Sequence, residues 1–290
     1  MTPGTLFRDL FGTRFQNPIL LAAGTAGYGL ELEGVMDLDR LGGIVCKAVS
    51  REPRAGNRAP RVAEFAGGML NSVGLANPGL VHVREHELPA LVRRLRHARI
   101  LVNVVGFTEG EYADVVAGLE EADGITAYEI NLSCPNTSAG GIEFGADAGS
   151  VTSIVSACRR ATRRALAVKL SPVLPDIAGM AVVARDAGAD AISVVNTLPG
   201  SLYQGAAQRL GNGSGGVSGP VLLPVGVLAV SRVLERTGGM PVIGVGGVRS
   251  AEDVRQYLRA GASLVGIGTA ALADPRLPER IIRDLERSDG

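Results

Sequence analysis

Short apolar runs alternate with longer stretches of helical periodicity along almost the whole chain. Each run predicts a β-strand, and the helical stretches between them, for example 150–165 and 250–261, predict amphipathic helices. The runs are ILLAAG (19–24), GGIVCKAV (42–49), ILVNVVG (100–106), AYEINLS (127–133), LAVKLSP (166–172), AISVVNT (191–197), PVIGVGG (241–247) and LVGIGTA (264–270). Eight strands that each precede a helix or a long excursion predict an α/β fold, a (β/α)8 TIM barrel. The alternative is an open, doubly wound sheet.

The length of the chain fits one such barrel, since it has 290 residues. No linker rich in proline, serine or charge divides the sequence, so we expect a single domain over residues 1–290. Two long excursions interrupt the rhythm, at 50–80 after the second strand and at 198–218 after the sixth. Loops of this length often act as lids or binding loops.

The charge and cysteine content of the chain disfavour several classes of partner and site. Lys+Arg and Asp+Glu each number 29, and the absence of a basic stripe or polybasic segment disfavours nucleic acid and anionic membranes as partners. The sequence shows no signal-peptide layout and no run of about 18 apolar residues. Its three cysteines form neither a disulfide framework nor a metal-ligand spacing. We therefore expect a cytoplasmic protein without a metal site.

Polar residues cluster where the predicted strands end, which is where barrels of this type place their active sites. A lysine inside a barrel is rare unless an anion or an electron-rich ligand pairs with it. Lysines that are solvated at the rim are the alternative, and a single asparagine at a strand end can simply close a turn. Together these side chains predict a site for a planar ligand rich in amides: Lys47, Asn103, Asn131, Lys169, Asn196 and Thr197.

Glycines after the last two strands predict a phosphate site. GVGGVRSAED places Gly246 and Gly247 before a helix that Ser250 can cap, and GIGTA places Gly268 and Thr269 after the eighth strand. Glycines let backbone N–H groups approach an anion, and a helix N-terminus adds its dipole. Glycines that serve only the turns are the alternative. A phosphate beside an amide-lined pocket indicates a phosphorylated cofactor or substrate.

The three cysteines differ in their surroundings. Cys134 lies in NLSCPN (131–136), a proline-stiffened turn at the end of an apolar run, whereas a cysteine that only packs usually lies inside such a run. Cys46 is next to Lys47 on a strand and must face the opposite side, into the helix layer. Cys158 lies in a predicted helix and is expected to pack. Cys134 is therefore the candidate reactive thiol, although a small apolar filler is the alternative.

Seven motifs occur in order along the chain: GGMLNSVGLANPG (67–79), NLSCPN (131–136), VKLSP (168–172), VVNT (194–197), GGVSGP (215–220), GVGGV (244–248) and GIGTA (266–270). With these motifs the chain resembles, from about residue 6 to 285, the class 1 dihydroorotate dehydrogenases, which are flavin enzymes of pyrimidine synthesis. NTSAGGIEFG (136–145) resembles the 1B branch of that family, whereas the membrane-bound, quinone-using class has serine as its base and an N-terminal extension.

This resemblance implies a reaction and a site. Dihydroorotate is oxidised to orotate, with a hydride passing from C6 to N5 of FMN and Cys134 removing the C5 proton. Lys47 would balance the substrate carboxylate, and Lys169 would stabilise the reduced flavin. The implied substrate contacts are Lys47, Asn71, Ser72, Val73, Gly74, Leu75, Asn131, Asn196 and Thr197. The implied FMN contacts are Gly24, Lys47, Ala48, Asn103, Asn131, Lys169, Val195, Gly219, Gly246, Gly247, Gly268 and Thr269.

The 1B resemblance also implies a homodimer that docks a second subunit with FAD and a 2Fe–2S cluster, through which electrons reach NAD. The chain itself has no cysteine cluster and no GxGxxG turn for a dinucleotide. Three features depart from the family pattern: Ala23, Ala48 and the 198–214 excursion. Other readings are a fumarate-using 1A enzyme, another FMN barrel of the dihydropyrimidine dehydrogenase or dihydrouridine synthase type, a Schiff-base aldolase or isomerase barrel, and a non-catalytic scaffold.

Overall fold

A computed structural model of the chain describes residues 6–133, 135–136 and 142–289. Eight parallel strands close into a barrel in which each strand pairs with the next along the chain and the eighth pairs with the first. In order, the barrel strands are Ile19–Leu21, Gly43–Val49, Arg99–Val104, Ile125–Asn131, Ala165–Leu170, Ala191–Val194, Val242–Val245 and Leu264–Ile267. The predicted (β/α)8 barrel is confirmed.

All eight predicted strands exist, but most of them end earlier than their apolar runs. The seventh strand stops at Val245 because Gly246 and Gly247 adopt φ angles of 123° and 78°, which leave the extended region. The eighth stops at Ile267 for a different reason, since Gly268 is the N-cap of the helix that begins at Thr269. These early ends leave short glycine-rich loops at the carboxyl end of the barrel.

Helices cover the outside of the barrel. The two predicted from periodicity are Ala148–Ala161, capped by the carboxylate of Asp147, and Ala251–Arg259, capped by the hydroxyl of Ser250 as expected. None of the helices in the described parts of the chain is long and apolar enough to span a bilayer. The other helical segments are Leu80–His82, Val83–Glu87, Leu88–Arg94, Glu109–Leu119, Ile177–Asp186, Leu223–Thr237, Thr269–Ala273 and Leu277–Asp289, with short 3-10 turns at Leu30–Leu32, Leu38–Arg40, Phe144–Ala146 and Pro220–Leu222.

The barrel interior begins with a layer of apolar side chains near the amino ends of the strands. Alternate residues of each strand point inward, and the others pack against the helices. The inward layer consists of Leu20, Val45, Leu101, Ala127, Ala167, Ala191, Ile243 and Leu264. A hairpin of Arg8–Leu10 and Thr13–Phe15 lies beneath it and inserts the fully buried ring of Phe15 into the same cluster. Phe11 meets that ring edge to face, at 6.3 Å between centroids.

The two long excursions form a second sheet, which the sequence analysis did not predict. Their strands Val62–Phe65, Gly68–Asn71, Leu198–Gly200 and Gly215–Ser218 pair antiparallel, with the first excursion joined to the second through Gly68–Asn71 and Gly215–Ser218. The strands are short and rich in glycine, so their alternation is too weak to read from the sequence. Their pairing fixes one excursion against the other. A further hairpin joins Tyr203–Gln204 to Ala207–Gln208.

The apolar layer at the amino ends of the strands, together with Phe15, forms the floor of the barrel. Phe15 should be the main stabilising residue of this floor. Replacing it with alanine deletes a ring that is 0% exposed, and we expect Phe15→Ala to lower the free energy of unfolding by about 3–5 kcal/mol. Phe7 is the matched control because its ring is 49% exposed, and Phe7→Ala should change stability by about 0.5 kcal/mol or less. Urea unfolding of both variants measures the difference, and equal losses would contradict this account of the floor.

Candidate active site

A polar layer lies above the apolar layer, one inward-facing position nearer the carboxyl ends of the strands. It consists of Asn103, Glu129, Lys169 and Ser193, whose exposed fractions are 1%, 1%, 6% and 0%. The strand register pairs Asn103 with Glu129 and Lys169 with Ser193. The barrel therefore closes its interior with four buried polar side chains from four consecutive strands.

Glu129 is the centre of this layer. Its Oε1 accepts a hydrogen bond from Asn103 Nδ2 at 2.6 Å and lies 3.4 Å from the ammonium Nζ of Lys169. Its Oε2 accepts from the Ser193 hydroxyl at 2.8 Å. The buried charges of Glu129 and Lys169 thus balance each other, as buried charges must.

Glu129 was missed in the sequence analysis, although a signal for it existed. It is the one charged residue in AYEINLS, and it precedes Asn131 by two positions, so both side chains share the inward face. The expectation that a buried lysine would have an anionic partner is met at Lys169, and the partner is this glutamate.

Lys47 occupies the same inward phase on the second barrel strand but has no such partner. Its backbone N–H donates to the Gly27 carbonyl at 2.8 Å, which fixes the strand against the first loop. Its half-buried ammonium forms no hydrogen bond or ion pair with any described residue. Lys47 is therefore a positive charge at this end of the barrel that no described residue neutralises, so it is available to an anionic ligand.

Asn131, Asn196 and Thr197 come together at the rim, as predicted. Asn196 Nδ2 lies 3.5 Å from Asn131 Oδ1, and the Thr197 N–H donates to Asn196 Oδ1 at 2.9 Å. Asn103 contributes a further acceptor, because its Oδ1 is buried without a partner among the described residues. The rim and the layer beneath it therefore offer both hydrogen-bond donors and hydrogen-bond acceptors from amide groups.

The first excursion brings the segment 71–75 to this region through its pairing with the second. Asn71 Nδ2 donates to the Gly216 carbonyl at 3.1 Å. The turn that follows is held by Asn57, whose N–H donates to the Val73 carbonyl at 3.0 Å and whose Nδ2 donates to the Ser72 hydroxyl at 2.8 Å. Asn57 was not predicted, since nothing in the sequence links it to a turn 15 residues away.

The backbone of this turn is strained at one position. Gly74 and Leu75 have φ angles of 72° and 56°, and the left-handed conformation is uncommon for a residue with a branched side chain such as Leu75. Strain of this kind is retained where the surrounding structure enforces it, often at ligand sites. The backbone of the turn 72–75 is consequently held in one conformation before any ligand binds.

Two glycine loops form a cradle after the seventh and eighth strands. The backbone N–H groups of Gly247, Gly268 and Thr269 donate to none of the described residues, so they remain available to an anion. Tyr257 supports the first loop by donating its buried hydroxyl to the Gly246 carbonyl at 2.7 Å. On the second loop, Thr269 Oγ1 donates to Ser218 Oγ at 2.8 Å.

Small residues keep space open around the cradle. A Cβ added at Gly24 would meet no atom within 4 Å, and one at Gly268 would approach nothing closer than 3.7 Å. Gly219 has a φ of 105°, and a Cβ added to it would lie only 2.8 Å from the Cα of Gly68 in the first excursion.

Two further predicted FMN contacts already have backbone partners in the fold. The Ala48 carbonyl accepts from the Tyr28 hydroxyl at 3.2 Å, and the Val195 N–H donates to the Val245 carbonyl at 2.9 Å. Contacts at Ala48 and Val195 would therefore use their remaining backbone groups.

Of the three cysteines, Cys46 and Cys158 are fully buried among apolar side chains, with Cys46 facing the helix layer as predicted. Burial raises the pKa of each thiol to about 12, so neither forms a thiolate at neutral pH. Cys134 and residues 137–141, which include much of the 1B-like motif, lie outside the described residues. The assignment of Cys134 as the base stays a prediction.

The buried thiols give a direct chemical test. In the native protein at pH 8, Cys46 and Cys158 should resist iodoacetamide, because they are inaccessible and their pKa values of about 12 leave almost no thiolate. After unfolding in urea both should be alkylated rapidly, which peptide mass spectrometry can follow residue by residue. Alkylation of either thiol in the native protein at its unfolded rate would contradict the burial described.

Comparisons with known proteins agree with this geometry. Residues 5–288 match the protein family described as dihydroorotate dehydrogenase. The chain is 42% identical over 281 residues to the dihydroorotate dehydrogenase B (NAD(+)) catalytic subunit of Trichlorobacter lovleyi, covering 96% of this chain and 91% of that protein. It is 44% identical over 287 residues to a Solibacter usitatus protein provisionally named dihydroorotate dehydrogenase A (fumarate), covering 98% and 93%.

A solved structure shows the same fold. The crystal structure of the Eimeria tenella enzyme DHODH in complex with ferulenol superposes with a TM-score of 0.82 at 25% identity, covering 97% of this chain and 83% of that one. Sequence, fold and polar barrel end therefore lead to one conclusion: the chain belongs to the dihydroorotate dehydrogenase family and is an oxidoreductase of pyrimidine biosynthesis.

Proposed function

We propose that the chain oxidises dihydroorotate to orotate with FMN as its cofactor and Cys134 as the base that removes the C5 proton. The observation that carries this proposal is the convergence, at one end of the barrel, of three features: Lys47, which has no partner among the described residues, the rim side chains Asn131, Asn196 and Thr197, and an anion cradle. When bound, FMN supplies the acceptor for the hydride from C6.

The side chains fit FMN in both charge and hydrogen-bonding capacity. The free N–H groups of Gly247, Gly268 and Thr269 would hold its phosphate, with Gly246 and Gly219 allowing close backbone approach. The orphan Oδ1 of Asn103 would accept a ring N–H, since a buried acceptor without a donor is costly. Lys169 would present a fixed positive charge to the reduced ring.

Lys47 and the rim amides suit the substrate. Dihydroorotate carries a carboxylate beside two ring amides, and Lys47 offers a free ammonium on the inward face. Asn131, Asn196 and Thr197 would hydrogen-bond the ring, as would Asn71. The preformed turn from Ser72 to Leu75 would close over it with backbone groups. These contacts fix the ring so that its C5 proton meets one base.

The role of Cys134 can be tested by single-turnover kinetics. Cys134→Ala should still bind FMN but reduce it with dihydroorotate roughly 100- to 10,000-fold more slowly, which is the usual contribution of a placed general base. Cys134→Ser should retain a little activity that rises at high pH, because a hydroxyl ionises less readily than a thiol. Cys158→Ala is the matched control, since that thiol is buried away from the site. Stopped-flow reduction at a near-normal rate in Cys134→Ala would place the base elsewhere.

If the glycine loops bind the FMN phosphate, two buried tyrosines should differ in their effect on FMN affinity. Tyr257→Phe removes the hydrogen bond to the Gly246 carbonyl and should weaken FMN binding several-fold, since the glycine loop loses its support. Tyr128→Phe is the control: its equally buried hydroxyl donates to Glu120 and lies outside the cradle. Fluorescence titration of apoprotein with FMN measures both affinities, and equal weakening in the two variants would contradict the cradle.

We further propose that the electrons leave through a partner subunit carrying FAD and an iron–sulfur cluster, which passes them to NAD, and that the catalytic chain forms a homodimer. The Trichlorobacter lovleyi relative, named as the catalytic subunit of an NAD(+) enzyme, supports this route. The similar identity to a protein named for fumarate favours a second candidate, direct oxidation by fumarate.

Reoxidation experiments distinguish the two routes. The isolated chain, reduced anaerobically with dihydroorotate, should be reoxidised slowly by NAD and by fumarate. The addition of a candidate electron-transfer subunit with NAD should restore rapid reoxidation. Rapid reoxidation by fumarate alone would instead support the second candidate and defeat the partner route.

A further inference from the structure

The inward faces of the barrel carry few charges. Arg99 lies at the amino end, where its Nε donates to the Arg14 carbonyl at 2.9 Å. In the carboxyl half of the described barrel strands the inward-facing charged residues are Lys47, Glu129 and Lys169, and the remaining inward positions are apolar, asparagine or serine. A change in any one of these three charges therefore alters the field at the site strongly, since little polar medium screens it.

Glu129 is held rigidly as well as buried. Asn103 and Ser193 donate to different oxygens of its carboxylate, at 2.6 Å and 2.8 Å, so the group cannot turn away from Lys169. Another carboxylate near this end, Glu143, accepts from the Ser171 hydroxyl at 3.3 Å and forms no ion pair with a described residue. Burial raises the pKa of Glu143, which weakens it further as a counter-ion. Glu129 is thus the fixed anion that faces Lys169.

A lysine without this counter-ion would change the chemistry of the bound cofactor. A fixed cation beside a flavin stabilises the reduced, negatively charged form, and an uncompensated one would retain the electron pair too strongly. The enzyme must instead release those electrons in every turnover. The carboxylate of Glu129 opposes the field of Lys169 and favours their release.

We propose that Glu129 is a positioning residue that fixes the Lys169 ammonium and compensates its charge, so that the Glu129–Lys169 pair, and not Lys169 alone, sets the reduction potential of the bound flavin. This inference rests on the proposed function, because it requires FMN at this end of the barrel. It assigns to Glu129 a role in holding the potential low enough for electron transfer onward.

The test is a charge cycle on the FMN-loaded enzyme, read as the midpoint potential of the flavin. Glu129→Gln removes one negative charge and should shift the equilibrium toward reduced flavin at least tenfold, about 30 mV upward for a two-electron couple. Lys169→Met should lower the potential. The double variant, which again lacks net charge at the pair, should lie between the two single variants.

Two comparisons keep the result interpretable. Ser193→Ala removes a hydrogen bond to Glu129 but retains both charges, so its shift should be smaller than that of Glu129→Gln. If Glu129→Gln fails to fold, the double variant can be compared with Lys169→Met instead. The double variant should have the higher midpoint potential, by an amount that corresponds to at least a tenfold shift of the flavin equilibrium toward the reduced form. An unchanged or lowered potential in Glu129→Gln, or equal potentials in that second pair, overturns the inference.

Failure of the proposed function gives a different result. A wild-type protein that binds no FMN would overturn the cofactor assignment and this inference together. A wild-type protein that binds FMN, with a potential indifferent to Glu129, would overturn the inference alone. Spectroscopic titration of wild-type apoprotein with FMN, performed first, separates the two cases.

Discussion

The closed register of the eight-stranded barrel is the constraint on which the rest of the structure depends. Once each strand pairs with both neighbours, every second side chain must enter a narrow interior. The amino-terminal positions fill it with small and branched apolar groups over Phe15. The next inward-facing side chains, nearer the carboxyl ends of the strands, are polar and must form hydrogen bonds with one another. Glu129 is the hydrogen-bond acceptor for Asn103, Lys169 and Ser193. The site is built on this floor.

Much of this could be predicted from the sequence, because strand periodicity and the residues at strand ends are local signals. The eight strands, the outward Cys46 and the grouping of Asn131 with Asn196 were all predicted and confirmed. Most strand ends were placed too late, since apolar character continues past them into the loops, and at the seventh strand the positive φ angles of Gly246 and Gly247 end the extended conformation.

The features that were missed depend on contacts distant in sequence. The sheet that joins the two excursions pairs Asn71 with Gly216, which no local pattern predicts. Glu129 was missed because one charge in an apolar strand indicates little until the neighbouring strands supply its donors. Roles such as the cysteine base came from family resemblance, and Cys134 lies outside the described residues. Local pattern thus gave the fold and many of the site's side chains, while tertiary pairing decides how they act together.

We propose above all that this barrel end binds FMN and passes it electrons from dihydroorotate. An anaerobic titration of the purified, FMN-loaded chain with dihydroorotate tests it most directly, with the visible absorbance of oxidised flavin as the readout. We expect the absorbance to be bleached as dihydroorotate is added, with orotate formed in equal amount to the flavin reduced. A chain that takes up no FMN, or whose flavin absorbance persists in excess dihydroorotate, would contradict it.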